Sequence, residues 1–430
     1  MSNQISGATE SDNPEASQRR NFLTTTIYQV LLRMAWIFKT ESVIMPAALD
    51  SMGGAGWVRG CLPMLNRIGQ SIPPLLVWPF VKAARRQQSW LAFSTMMMGV
   101  MFCCLACLWL TGFHETGKPA QFLFLVIYAL FFVSTGINQL TLSSLIGKLI
   151  PADLRGRLML AANTFGCLVS ISCAWFVLRH WLGDGQANFA AIFGTSGVLF
   201  IVAAASSYLI REPVVERQQQ PAYRVRRIFG EVWQTCVEDR QFRMLAIISG
   251  LFGLSMTLMP HYQNLARTRL ALGFSDLLPW LMIQNFGVAV FSVPVGAAAD
   301  RLGNRAALRL VLACLLAAPI LALLFSRMPS IGRAGFWGVY FLLGLMPVSI
   351  RILSNFALEF ASTENQPRYL ATQSMALALP VIVTSTLIGW LLDRLGYEVV
   401  FGLVIGCLLV AWILTFRISE PRGSQHGKSL

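Results

Sequence analysis

The stretch Leu62-Pro63-Met64-Leu65-Asn66-Arg67-Ile68-Gly69 has a counterpart in the second half of the chain. There, Leu278-Pro279 precedes Gln284-Asn285-Phe286-Gly287, so a proline and a pair of polar residues recur inside an apolar run. Two further matches extend the repeat: Ile44-Met45-Pro46 with Leu258-Met259-Pro260, and Asp153-Leu154-Arg155-Gly156-Arg157 with Glu364-Asn365-Gln366-Pro367-Arg368. The repeat predicts two halves of the same fold.

Long apolar runs surround these motifs along the whole chain. Of its 430 residues, 55% are hydrophobic and 13% are charged, whereas soluble domains carry about 25% charged residues. A membrane-spanning helix needs about 20 mostly apolar residues, and its backbone must satisfy its own hydrogen bonds. We therefore predict an all-α membrane protein with twelve transmembrane helices in two pseudo-symmetric six-helix bundles, near residues 24–48, 57–81, 89–111, 121–148, 158–180, 189–210, 242–264, 277–299, 307–326, 335–358, 369–391 and 398–417.

The formal charge of +14 is unevenly distributed between the loops. Lys and Arg concentrate in the tails and in the loops on their side of the membrane, above all between Arg211 and Arg243. By the positive-inside rule, this asymmetry predicts cytoplasmic N- and C-termini. The basic residues are thus a topology signal, and we expect a multi-pass protein of the plasma membrane (the inner membrane in a bacterium), in contact with the lipid bilayer and with no nucleic-acid partner.

The domain organisation follows from the polar interruptions. The predicted parts are a disordered cytoplasmic tail at 1–21, an N-terminal bundle at 22–211, a cytoplasmic linker at 212–241, a C-terminal bundle at 242–418 and a cytoplasmic tail at 419–430. Within the linker, Tyr223–Val237 is compatible with either an interfacial amphipathic helix or a loosely ordered connector. The nine cysteines show no metal-ligand spacing, so we expect neither a metal nor a cofactor.

Three loop motifs resemble those of one transporter family. Gly296-Ala297-Ala298-Ala299-Asp300-Arg301-Leu302-Gly303-Asn304-Arg305 is similar to the signature loop of the major facilitator superfamily, G-x-x-x-D-R-x-G-R-R/K. Leu149–Arg157 and Gly389–Tyr397 resemble two other loops of that family. The resemblance covers residues 22–418 and implies a monomeric, non-enzymatic transporter of a small-molecule substrate, coupled to a proton or another ion.

The resemblance also implies a cytoplasmic gate. Its residues would be Gly296, Asp300, Arg301, Gly303, Arg305, Asp153, Arg155 and Arg157. The first half departs from the pattern, because Lys82 stands where the repeat aligns Asp300 and Arg85 where it aligns Gly303. The alternative interpretation is a solvated basic turn that only anchors the topology.

Polar residues inside the predicted spans are candidates for a substrate cavity, because each is costly in lipid. Gln29, Arg33, Trp36 and Thr40 fall on one stripe of the first helix, flanked by Lys39 and Glu41. In the resembling family, the first helix of each triplet lines the cavity. The candidates are Arg33, Trp36, Lys39, Thr40, Asn66, Arg67, Gln70, Asn138, His261, Arg351 and Asn355.

Cations outnumber anions among these residues, and surplus guanidinium groups suit an anionic or strongly hydrogen-bonding solute. Two other interpretations stay open: the polar set is structural glue around a neutralised Glu41, or Arg33 and Arg67 snorkel to headgroups. Glu41 is the candidate for proton coupling, either as a proton relay or as a permanent ion-pair partner.

Three function classes compete. The first is a secondary active transporter working by alternating access, since the chain has no ATP-binding loop; within this class, a drug/proton efflux pump is the alternative to an organic-solute carrier. The second is a membrane enzyme acting on lipid-linked substrates, for which clustered carboxylates or histidines are lacking. The third is a non-transporting membrane sensor on the same scaffold.

Overall fold

A computed structural model describes residues 14–182, 187–213, 225–361 and 365–420. Within these ranges the chain is helical, and its sole β-type contact is an isolated bridge between Leu182 and Ala187. The helices are α1 (Pro14–Ile37), α2 (Ile44–Ser51), α3 (Gly56–Ala83), α4 (Gln87–Leu110), α5 (Lys118–Leu149), α6 (Ala152–Cys173), α7 (Arg179–Trp181), α8 (Phe189–Ser207), α9 (Val225–Glu238), α10 (Arg240–Met256), α11 (Met259–Leu270), α12 (Leu277–Leu302), α13 (Asn304–Ser326), α14 (Pro329–Leu343), α15 (Leu345–Phe360) and α16 (Gln366–Leu414).

Nine helical segments of the described residues are long and apolar enough to cross a membrane. This number is lower than the predicted twelve for three reasons. Helix α16 counts once, although non-helical backbone at Gly396 divides it. Helix α3 carries Arg59, Arg67 and Lys82, and α1 begins with a polar turn. All twelve predicted segments are nevertheless helical over most of their length.

Helix breaks recur at equivalent points of the two halves. The first predicted span is divided between α1 and α2 by a non-helical segment at 38–43, and the seventh between α10 and α11 at 257–258. The repeated motifs Ile44-Met45-Pro46 and Leu258-Met259-Pro260 lie at the start of the helix after each break. A proline is tolerated in the first turn of a helix, where its missing N–H has no intrahelical acceptor.

The beginning of α1 and the residues after the end of α16 lie at one end of the molecule, here called the terminus face. Helix α1 begins at Pro14, so residues 14–21 are helical instead of belonging to a disordered tail. Asn21 explains the extension, because its Nδ2 donates to the Arg211 carbonyl at 3.0 Å and its Oδ1 accepts from the Arg211 N–H at 2.8 Å. This pair ties α1 to the end of the N-terminal bundle.

At the terminus face, each half contains a carboxylate that makes the same kind of contact with the start of a helix. Glu212 accepts from the backbone N–H of Gln88 at 2.8 Å, where α4 begins, and from Lys148 Nζ at 2.7 Å. Glu420 accepts from the backbone N–H of Arg305 at 2.9 Å, where α13 begins. In both halves, a carboxylate after the last helix thus satisfies a free N–H at a helix start.

The linker region contains α9, which settles the choice between a helix and a loose connector for residues 225–238. Residues 214–224 lie outside the described part of the chain. Helix α9 packs on α10 and α16, and Arg368 Nη2 of α16 lies 3.4 Å from Glu238 Oε2. The linker helix is therefore attached to the C-terminal bundle.

The opposite end, here called the distal face, is where the halves contact each other most closely. Helices α3 and α16 meet there through small residues, and a Cβ on Gly60 would lie 2.3 Å from the Ser385 carbonyl oxygen. The backbone N–H of Gly56 donates to Asp393 Oδ2 at 2.8 Å. The glycines thus permit direct contact between the backbones of the two helices.

A cluster of charged and amide side chains also joins the two halves at the distal face. Asp50 accepts from Arg59 Nη1 at 2.5 Å within the N-terminal half. From the C-terminal half, Arg267 Nη1 lies 3.9 Å from Asp50 Oδ2, and the Gln263 and Asn264 amides each donate to it at 3.4 Å. Between described residues, the side-chain hydrogen bonds that join the halves lie near the middle of the helices or at this distal face.

Candidate functional site

A cavity of about 410 Å³ lies between the two halves. It is placed at the break between α1 and α2, where the chain loses helical hydrogen bonding and turns polar side chains inward. Both halves contribute to its wall, which consists of Arg33, Trp36, Ile37, Lys39, Thr40, Glu41, Asn66, Cys167, Ser170, Ile171, Gln284, Asn285, Val288 and Pro347.

Glu41 is the carboxylate of this cavity wall. Its Oε1 accepts from Lys39 Nζ at 2.8 Å and from the Tyr128 hydroxyl at 2.8 Å. Asn66 Nδ2 donates to Oε1 at 2.8 Å and to Oε2 at 2.7 Å, and Gln70 Nε2 donates in turn to Asn66 Oδ1. Residues of α3 and α5 therefore hold the Glu41 side chain at the cavity edge.

Lys39 is the ion-pair partner of Glu41, and aromatic rings surround its ammonium group. Nζ lies 4.1 Å from the centre of the Phe132 ring and 4.6 Å from that of Trp36, with Tyr128 at 5.4 Å. The residue is only 3% exposed. Cation–π contacts and the Glu41 carboxylate together offset the loss of water around the ammonium, so little of the Lys39 charge is available to a solute.

Arg33 is held differently. Its Nη1 donates to Asn163 Oδ1 on α6 at 2.6 Å, and its aliphatic stem crosses α6 at Gly166, where an added Cβ would lie 2.8 Å from Arg33 Cδ. Arg33 also lines a second, smaller cavity of about 180 Å³ together with Trp36, Gln29 and Asn163. Among the described cavity residues, Arg33 is the cation without a carboxylate partner.

The C-terminal half contributes uncharged groups to the wall. Gln284 Oε1 accepts from the Ser42 hydroxyl at 2.5 Å across the halves, and Asn285 Nδ2 donates to the Leu281 carbonyl at 2.8 Å. Val288 and Pro347 add apolar surface. The formal charges that line the cavity therefore all come from the N-terminal half.

Three predicted cavity residues lie elsewhere in the N-terminal half. Arg67 is half-buried beside the cavity, and its Nη2 lies 3.1 Å from Met256 Sδ of the other half. Gln70 stands behind Asn66 and does not line the cavity. Asn138 is 1% exposed and donates to the Tyr28 and Thr95 hydroxyls at 2.7 Å each. It joins α5 to α1 and α4 in a polar cluster that the cavity does not reach.

The predicted residues of the C-terminal half also lie away from the cavity wall. His261 is 1% exposed and belongs to α11, on the distal side of the break. Arg351 and Asn355 occupy exposed positions of α15. Periodicity alone did not separate residues of the cavity wall from residues buried between helices, such as His261.

The predicted gate residues lie at the terminus face, and no contact between described residues joins them to the other half. Asp300 and Arg301 are exposed, and Gly296 has no neighbour within 4 Å of an added Cβ. Gly303 adopts φ 88°, and a Cβ there would meet the Glu420 carboxylate, while Arg305 Nη1 donates to the Ile418 carbonyl at 3.3 Å. These contacts stay within the C-terminal half.

In the N-terminal half, Arg155 Nη2 donates to the Gly147 carbonyl at 2.7 Å and so caps the C-terminal end of α5. Arg157 is exposed, and the side chain of Asp153 lies outside the described residues. In this conformation the cavity is closed at the distal face, and the signature loop is not engaged with the other half.

Several wall residues were not among the predicted candidates. Gln284 and Asn285 are the repeat counterparts of Asn66 and Arg67, so the duplication itself was a signal that could have found them. Tyr128 and Cys167 carry no comparable signal, since an isolated tyrosine or cysteine in an apolar helix more often belongs to the core.

Comparisons with known proteins agree with this architecture. The sequence model described as Major Facilitator Superfamily matches residues 272–429. No curated protein sequence matches the chain. Among solved structures, a variant of the nucleoside transporter NupG is similar at 13% identity, covering 92% of this chain and 99% of that chain with a TM-score of 0.72.

Two further solved structures have the same fold. The D-xylose-proton symporter is 14% identical, covers 94% of this chain and 99% of its own, and gives a TM-score of 0.67. The human organic anion transporter MFSD10 is 16% identical, covers 93% of this chain and 99% of its own, and gives a TM-score of 0.60. At these identities the likeness concerns the fold alone.

Proposed function

We propose that the chain, whose residues 272–429 match the Major Facilitator Superfamily model, is a secondary active transporter of that family for a small anionic organic solute. The observation that carries this proposal is the cavity between the halves, where Arg33 has no carboxylate partner and Lys39 neutralises Glu41. An acidic solute would supply the missing negative charge. The protein would act as a monomer in the plasma membrane, with twelve spanning helices and both termini in the cytoplasm.

The charge balance around the cavity supports an anion over a cation. Arg33 and Lys39 line the wall, and Arg67 stands close enough to interact electrostatically with Glu41. The cavity wall therefore carries two cations and one carboxylate, and Arg67 lies beside it. The guanidinium of Arg33 can bind a carboxylate through two parallel N–H donors, while the Asn66, Gln284 and Asn285 amides are placed for hydroxyl or carbonyl groups of the same solute.

The transport cycle follows from the contacts between the halves. The described conformation is closed at the distal face by Asp50, Arg267 and the α3–α16 contact. We propose that the halves rock about the cavity, so that the distal contacts separate when the terminus face closes. Asp300, Arg301 and Arg305 would then meet the N-terminal half and take the gating role that the sequence pattern predicts.

Glu41 is proposed as the proton-coupling group. Both of its carboxylate oxygens accept hydrogen bonds, so a protonated Glu41 needs a neighbour that turns from donor to acceptor. Asn66 can do this by rotating its amide, and Gln70 can follow, since it donates to Asn66 now. Protonation would also remove the ion-pair partner of Lys39, and this change links the proton to the charge of the cavity.

The test begins with purified full-length protein and a panel of organic acids, sugars, nucleosides and hydrophobic drugs. Ligands that raise the melting temperature are then assayed for uptake into proteoliposomes. We expect organic acids to bind and to be transported, with uptake tenfold to a hundredfold weaker in R33Q, because a hydrogen bond to a charged group contributes about 1.5–3 kcal/mol. R33K should retain part of the activity.

Other outcomes contradict the proposal in different ways. Transport of neutral solutes or drugs with R33Q unchanged would refute the anionic substrate. Saturable binding of organic acids without flux in either direction would favour the sensor over the transporter.

A further inference from the structure

A polar cavity of about 470 Å³, here called the distal cavity, lies at the distal face on the boundary between the two halves. Its wall includes Asp50, Gly54 and Arg59 of the N-terminal half and Asn264, Arg267 and Thr268 of the C-terminal half. These residues differ from those that line the central cavity. The distal cavity is therefore a separate feature of the contact between the halves.

Arg267 supplies the first observation, because its guanidinium is half-buried without a hydrogen bond to any described residue. Its Nη1 lies 3.9 Å from Asp50 Oδ2, which is longer than a hydrogen bond. Its Nε is enclosed, whereas its terminal nitrogens are accessible. A guanidinium offers five N–H donors, and buried polar groups of this kind normally bind a partner, so the arrangement calls for a water or an anion.

Arg59 supplies the second observation from the opposite half. The residue is 7% exposed, and its Nη1 donates to Asp50 Oδ1 at 2.5 Å and to the Gly54 carbonyl at 2.8 Å. Its Nη2 is accessible and makes no hydrogen bond with the described part of the chain. Each half therefore presents a terminal guanidinium nitrogen in the wall of the same cavity.

The charge and size of the distal cavity favour an oxyanion. Two arginines face one carboxylate in its wall, and Asp50 already accepts from Arg59 and from the Asn264 amide. The volume of about 470 Å³ is far larger than the share of about 30 Å³ that one water occupies in the liquid. An oxyanion carries several acceptor oxygens, so it can bind two guanidinium groups at once.

We propose that the distal cavity binds a small oxyanion from the distal side, which bridges Arg59 of one half and Arg267 of the other. A bound anion joins the halves and stabilises the conformation that is closed at the distal face. Inorganic phosphate and the carboxylate of an organic acid share the required chemistry. Oxyanions on the distal side would therefore regulate the cycle by slowing the opening of that face. This inference rests on the proposed rocking of the halves, but not on the identity of the transported solute.

The experiment measures the closure of the distal face with phosphate as the probe. Full-length protein with Cys167 as its sole cysteine is labelled by a membrane-impermeant maleimide in sealed vesicles of either orientation, because Cys167 lines the central cavity. Phosphate is added at constant ionic strength, with chloride as the balancing anion. At about ten times the half-maximal phosphate concentration, the rate of labelling from the distal side should fall about tenfold, since a ligand of one state depletes the other in proportion to its concentration.

The same measurement with acetate identifies the preferred oxyanion. A lower half-maximal concentration for acetate than for phosphate assigns the site to carboxylates, and the reverse assigns it to phosphate; either result supports the site.

Three variants test the residues. R267Q should lose the phosphate response, measured against its own rate without phosphate. D50N should respond at a lower phosphate concentration than the wild type, because the variant lacks the carboxylate that repels the anion. R269Q is the matched control, since Arg269 lies on the same helix, pairs with Glu398 and lines neither the distal nor the central cavity. Its response should equal that of the wild type.

Other outcomes overturn the inference. If R267Q responds like the wild type, or if phosphate in excess over chloride has no effect, the distal cavity holds water only. If phosphate slows labelling from both faces, the anion binds in the central cavity, which contradicts the distal site and agrees with the proposed anionic substrate. A distal response in a protein that transports no organic acid would keep the site and refute that substrate.

Discussion

Replacing Arg267 with Gln should open the distal face. Arg267 contacts Asp50 across the halves at 3.9 Å, whereas the shorter Arg59–Asp50 pair at 2.5 Å lies within one half and is unaffected by rocking. The Arg267 side chain is 21% exposed and that of Asp50 13%. At this exposure and distance, the pair contributes about 1 kcal/mol. Its loss should therefore shift the equilibrium towards the distally open state about fivefold.

Cys167 provides the assay, because it lines the central cavity. In a variant with the other cysteines replaced, labelling of Cys167 by a membrane-impermeant maleimide reports which face is open. R267Q should increase the rate of labelling from the distal side about fivefold, which corresponds to the loss of about 1 kcal/mol. The rate of labelling from the terminus side should decrease.

R269Q is the matched control for this prediction. Arg269 lies on the same helix and pairs with Glu398 at 3.1 Å, but both residues belong to the C-terminal half. Its replacement should leave the labelling of Cys167 unchanged. Equal effects of R267Q and R269Q, or no effect of either, would refute the idea that Asp50 and Arg267 hold the distal face closed.

Three further substitutions have defined outcomes. E41Q should abolish uptake driven by a pH gradient but keep solute exchange measured by counterflow; loss of both would make Glu41 a permanent ion-pair partner. G60A should reduce transport strongly, because its Cβ would lie 2.3 Å from the Ser385 carbonyl oxygen, whereas G402A, with open space around it, should transport normally. N138A should lower the melting temperature, since it leaves the Tyr28 and Thr95 hydroxyls without their amide donor, at about 1–3 kcal/mol, while solute affinity in the folded protein stays unchanged.

The sequence predicted the helical architecture, because that depends on local patterns. Apolar runs indicated the helices, and the polar stripe of α1 contains residues that line the cavity. Both copies of the repeated Met-Pro motif follow a helix break, so the repeat extends to the local structure. The sequence placed residues 14–21 in a tail, and the contact that attaches this end of α1, between Asn21 and Arg211, joins residues that are distant in sequence.

The chemistry of individual residues was less predictable. Lys39 looked like a cation available to a solute, but its rings come from α5 as well as α1, and no pattern within one helix indicates that arrangement. Asn138 has the composition of a cavity residue and instead binds hydroxyl groups on two neighbouring helices. Which face of a helix is polar follows from its sequence; what that face contacts depends on how the helices assemble.

The uneven distribution of charge across the cavity has a consequence for the energy barrier of the cycle. Arg33, Lys39 and Glu41 all belong to one half, and the opposing wall is neutral. A solute attached to these groups can therefore travel with the N-terminal half as a single body while the C-terminal half slides past it. In the proposed cycle, no ion pair between the protein and the solute would then have to be broken in a medium of low dielectric constant when the halves reorient.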